Sequence, residues 1–108
     1  MTRKQALAEL IAKVEAGEPS PHYIWQRSLG THYSLGYRAA GGSLDAAKAL
    51  HEAVLPKCGW RVGSVGPCEA VVNRLYGGAD EYSAVSPDPA RAWILAILRA
   101  LHSMEPDA

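Results

Sequence analysis

Apolar positions recur along this chain in three runs of helical period, with a stretch of shorter period between the last two. The longest run is Ala90, Trp93, Ile94, Ile97, Leu98 and Leu101, at three- and four-residue steps, which predicts a helix over residues 88–103 with one broad apolar stripe. It opens on Ser86-Pro87-Asp88-Pro89, where Ser86 or Asp88 can accept a backbone N–H as N-cap. The proline after either one suits the first helical position, which needs no donor. A helix this apolar needs cover on more than one side, so the other elements should pack around it. Leu95 falls opposite the stripe, between Arg91 and Arg99.

The first run is Ala6, Leu7, Leu10, Ile11 and Val14, a helix over 2–16. Thr2 and Gln5 have capping-box spacing, and Gly17 suits a left-handed C-cap. The middle run, Leu44, Ala47, Leu50, Val54 and Leu55, predicts a helix over 43–55 capped by Ser43 and stopped by Pro56. From Gly59 the period shortens: residues 59–65 and 68–76 read as two strands joined across Gly66-Pro67. Gly77-Gly78-Ala79-Asp80 is a second turn, with room for a short third strand over 81–85. Residues 18–42 show no clear period. Apart from a helical turn over Ile24–Leu29 they read as a long loop punctuated by Pro19, Pro21, Gly30, Gly36, Gly41 and Gly42. That loop carries Tyr23, Trp25, Tyr33 and Tyr37, to be packed on the core or offered to a partner. The expected fold is therefore a single α+β domain over 1–108: a small antiparallel sheet of two or three strands packed with helices, and the apolar C-terminal helix central.

Composition narrows the function classes. Eleven basic residues balance eleven acidic ones, so neither a polybasic surface nor an acidic DNA mimic is implied. No window reaches the ~18–20 apolar residues of a membrane span. Met1 to Gln5 runs into an amphipathic pattern with no apolar core or cleavage site, which does not read as a signal peptide. A cytoplasmic location, with Cys58 and Cys68 as reduced thiols, is the expectation.

Candidate chemistry is sparse. Gly63-Ser64-Val65-Gly66 approaches a nucleophile elbow, but Val62 stands where that motif needs glycine. His22, His32, His51 and His102 form no metal-ligand spacing, and no cofactor or metal is implied. Gly41-Gly42-Ser43 precedes a helix N-terminus that could hold an anion, although a plain cap explains it equally well. Helix–three strands–helix is also the order of double-stranded-RNA-binding domains. The start of the last helix lacks their basic cluster, so a nucleic-acid regulator using Arg61, Arg74, Arg91 and Arg99 stands as the alternative. Surface is what is left: Arg91, Leu95 and Arg99 with Ala92 and Ala96 form a small-residue face suited to close packing, including a homodimer through this helix. Tyr and Trp are the types favoured at interface hot spots.

Leu10-Ile11-Ala12-Lys13-Val14-Glu15-Ala16 with its Gly/Pro break resembles the opening of the phage ABA-sandwich family of small phage and prophage proteins. Ser43-Leu44-Asp45-Ala46-Ala47, Gly59-Trp60-Arg61-Val62 and the segment from Pro89-Ala90-Arg91-Ala92 to Leu98-Arg99-Ala100-Leu101 resemble its middle helix, first strand and last helix. The departure is His22-Tyr23-Ile24-Trp25, where that family usually has an acidic residue. The resemblance implies a compact α+β sandwich and a phage accessory origin, with no catalytic residue to carry over. The expected function is thus a non-enzymatic protein that binds a host protein or complex in the bacterial cytoplasm, as an anti-CRISPR-like inhibitor of a defence complex would. Tyr23, Trp25, Tyr33, Tyr37, Arg91, Leu95 and Arg99 are the expected partner-binding residues.

Overall fold

The Thr2 hydroxyl accepts the Gln5 amide at 3.1 Å while the Gln5 side chain accepts the Thr2 amide at 2.8 Å, and this reciprocal cap starts helix α1 (Arg3–Ala16). Gly17 ends it at φ 71°, in the left-handed region that suits glycine. This computed structural model describes residues 1–63, 68–74 and 81–106, with every side chain but that of Arg74. After α1 come α2 (His22–Leu29), a 3-10 turn (Gly30–His32), α3 (Tyr33–Ala40) and α4 (Leu44–Val54). Strands β1 (Cys58–Gly63), β2 (Cys68–Arg74) and β3 (Glu81–Ser86) follow, and α5 (Pro89–Met104) closes the chain. The arrangement is α+β, as the hydrophobic pattern predicts.

The loop expected over 18–42 is the main correction: the helical turn read over Ile24–Leu29 is part of α2, and α3 is a further helix where loop was expected. Ile24, Trp25, Ser28 and Leu29 are buried at three- and four-residue steps, a stripe only two turns long. Gly36 is buried in α3 and lets that helix lie directly on α2. A Cβ there would come within 2.3 Å of Leu29 Cδ1 and 2.9 Å of Trp25 Cζ3. What looked like loop punctuation is a helix contact.

The sheet is antiparallel in the order β1-β2-β3. Trp60, Val72 and Tyr82 form one cross-strand row, and Val62, Ala70 and Ala84 the next. Cys58 pairs with Arg74, one residue away from the Leu75 partner that a Val65–Cys68 turn pairing would give. The expected turns at Gly66-Pro67 and Gly77–Asp80, the strand ends at 64–65 and 75–76, and Ser64 lie outside the described residues. No disulfide joins Cys58 and Cys68. The buried Cys68 thiol instead donates to the Pro87 carbonyl at 3.6 Å.

Asp88 is the N-cap of α5, its carboxylate accepting the Arg91 amide at 3.0 Å with Pro89 in the first turn. The helix packs on β2 and β3 of the sheet and on α1, α3 and α4, so it lies between the sheet and the other helices. Its residues from Ala92 to Leu98 are all buried. Leu95, expected on an open face, is only 2 % exposed. The line Arg91–Leu95–Arg99 runs along the seam where α1 and β3 meet α5: Arg99 pairs with Glu15 of α1 and donates to the Ser83 carbonyl of β3. Neighbouring elements therefore occupy the small-residue face expected to offer Leu95 to a partner or to a second copy of this helix.

One buried histidine ties three elements together. The Trp93 indole N–H of α5 donates to His51 Nδ1 at 3.3 Å, so Nε2 carries the ring proton and donates to the Cys58 carbonyl of β1 at 2.9 Å. His51 itself belongs to α4. The Trp60 ring stacks on Trp93 with centroids 4.4 Å apart and interplanar angle 35°, yet stays 45 % exposed.

Candidate binding site

Helix α1 breaks at Gly17, and Glu18 to Pro21 cross to α2. Gly17 to Ser20, the C-terminal half of α3 and the first turn of α5 enclose a half-open recess of about 300 Å³. That lies at the small end of the volumes of ligand sites. Val14, Trp25, Ala40 and the ring of Tyr37 make its apolar walls, and Ser20 and Arg91 bring polar groups to it.

The aromatic wall is built locally. Trp25 is 3 % exposed and sits under α3, its ring edge-on to Tyr37 at 6.2 Å between centroids. His22 fills the next place, with its ring 5.2 Å from Tyr37 and 6.0 Å from Tyr33. Tyr37 is the hub of this set and is still 51 % exposed. Three of the four expected aromatics thus converge, in different roles: Trp25 is core, Tyr33 is half-buried, and Tyr37 is wall and surface at once. Tyr23, on the outer side of α2, is 62 % exposed and stacks on no other ring among the described residues.

The charges around the recess are allotted unevenly. Glu18 is held by Lys13 at 3.0 Å, Glu15 by Arg99, and Asp88 by its capping bond. Arg91 lies beside all three acids in the fold or the sequence, and its guanidinium has neither an ion-pair nor a hydrogen-bond partner among the described residues. The Ser20 hydroxyl is likewise buried with no hydrogen-bond partner. Buried polar groups are ordinarily satisfied. A half-buried cation in an apolar-walled recess makes a place where an acceptor from outside would be stabilised.

Elsewhere the expected chemistry does not assemble. Arg61 projects from the face of β1 opposite to Trp60, whereas Arg91 and Arg99 lie on the helix side of the sheet, so these arginines form no common patch. The glycine turn before α4 already has a carboxylate beside it: a Cβ on Gly42 would lie 3.3 Å from Asp88 Oδ2, while Ser43 caps the Ala46 amide at 3.1 Å. Among the described residues no cluster of three or more potential metal ligands occurs. No helix among them is long and apolar enough to cross a membrane. His22, Ser20 and the segment around Gly17 escape sequence reasoning, because the recess joins positions 17–20, 37–41 and 91 through the fold alone. The tyrosines four apart, Tyr33 and Tyr37, were the available signal for α3.

No protein-family model matches the chain, and neither a curated protein nor a solved structure does.

Proposed function

We propose that this protein acts by binding another protein through its α2–α3 side, and performs no catalysis of its own. One observation carries this reading: the exposed ring of Tyr37 forms the wall of a recess that also holds an arginine with no partner among the described residues. Tyrosine and arginine are, with tryptophan, the side chains enriched at interface hot spots. Tyr23, two residues before the buried Trp25, adds a second exposed tyrosine to this pair of helices. The narrower form, a phage accessory factor that occludes a host defence complex, is supported by the residue pattern alone, and no geometric feature adds to it.

The test is a pull-down with the tagged protein from a bacterial lysate rich in defence systems, with and without nuclease, beside the double variant Tyr23→Ala/Tyr37→Ala. The expected result is a stoichiometric protein that survives nuclease and is lost with the double variant while its circular dichroism stays that of the parent. A partner retained by the double variant, or recovery of nucleic acid instead of protein, would sink the reading.

A further inference from the structure

The recess beside Arg91 has more chemistry than a generic contact surface needs. We propose that it receives the C-terminal carboxylate of a partner chain whose last residue is aromatic or large and apolar. This deepens the protein-binding reading above and rests on it.

Charge comes first. Glu18 at the edge of the recess is already matched by Lys13, and Glu15 on the neighbouring side of Arg91 by Arg99. The guanidinium of Arg91 therefore has no ion-pair partner among the described residues, the nearby Asp88 carboxylate being engaged with the Arg91 backbone amide. It sits half-buried in the first turn of α5, whose N-terminal end is capped by the Asp88 carboxylate. A guanidinium presents a planar fork that matches a carboxylate with two parallel hydrogen bonds. The Ser20 hydroxyl is closed to solvent, so Arg91 is the group that meets the carboxylate. One guanidinium fork suits a single carboxylate. A phosphate brings about −2 in charge and three acceptor oxygens, and would leave some of them unmatched.

Shape decides what carries that carboxylate. The walls are Val14, Trp25, Ala40 and the ring of Tyr37, so the group beside the charge must be apolar, and an aromatic ring can meet Trp25 and Tyr37 edge-on. About 300 Å³ takes one residue-sized group and not a chain passing through. A chain end meets both conditions, because its carboxylate and its last side chain leave the same Cα. An internal Asp or Glu would have to bring two lengths of backbone to the mouth.

The probes are N-acetyl-L-phenylalanine, its amide N-acetyl-L-phenylalaninamide, and free L-phenylalanine, titrated into the 15N-labelled full chain. The acid should shift the Trp25 indole N–H and the amides of Gly17 to Ser20 and Gly41, with affinity about tenfold or more above that of the amide. Arg91→Gln should bring acid and amide to the same weak affinity, with an unchanged melting temperature, and Arg91→Lys should keep part of the preference. Equal affinity for acid and amide in the parent protein, a preference that survives Arg91→Gln, or no shift with either probe would overturn the proposal. Tighter binding of free phenylalanine than of its acetylated form would overturn the chain-end source and indicate a small-molecule site. If the probes fail while Tyr23→Ala/Tyr37→Ala still loses a captured protein, the chain-end chemistry falls and the protein-binding reading stands.

Discussion

Helix α5 and the α2–α3 pair are both rich in apolar and aromatic side chains, and they cover them by opposite means. Helix α5 is sandwiched: the sheet lies on one side, α1, α3 and α4 on the other, and even Leu95 between its two arginines is enclosed. The α2–α3 pair, of which only α3 packs on α5, buries just one narrow stripe from each helix. Its rings pack on one another, and Tyr37 is left half in solvent. The same residue types thus make core in one place and surface in the other. What decides is the number of layers around the helix, a property of the fold and not of the helix itself.

Several substitutions would break or sharpen that contrast. Leu95→Ala should cost about 2–5 kcal/mol, the range for emptying an enclosed leucine site, out of a total stability of roughly 5–15 kcal/mol for a domain. Urea denaturation reads it directly. A loss under about 0.5 kcal/mol would return Leu95 to the surface. Gly36→Ala should come next, at about 1–3 kcal/mol, because the added methyl overlaps the Trp25 ring as well as the more yielding end of Leu29. A neutral result would mean that α3 does not lie on α2 as described. Tyr23→Ala should be the smallest, within about 0.5 kcal/mol by thermal melting. A large loss there would move Tyr23 into the core and remove it from the binding surface.

The contrast also explains what could be read from the sequence. Helices α1, α4 and α5 were legible because each joins a stripe of three or more turns to a side-chain cap: Thr2 with Gln5, Ser43, and Asp88 before Pro89. The strands were legible from the change of period at Gly59. Their register was not, since it depends on the turn, and a one-residue difference there moves the partner of Cys58 from Leu75 to Arg74. Helices α2 and α3 are eight residues each, too short for a period to outweigh Gly30 and Gly36. Leu95 was placed correctly on the helix wheel, opposite the main stripe. Its burial follows from β3 and α1 closing over that side, which no local pattern encodes. The recess was illegible for the same reason: Ser20, Tyr37 and Arg91 meet only once three distant segments are packed.

The Trp60–Trp93 stack has an optical consequence. Two indoles with centroids 4.4 Å apart and planes inclined at 35° couple their electronic transitions when the β1 edge is docked on α5. The folded chain should therefore carry an exciton couplet in its ultraviolet circular dichroism that a Trp60→Leu chain lacks. That signal would follow the seating of the outer strand separately from the helical band, giving the sheet edge and the helical layer each their own reporter in a single unfolding scan.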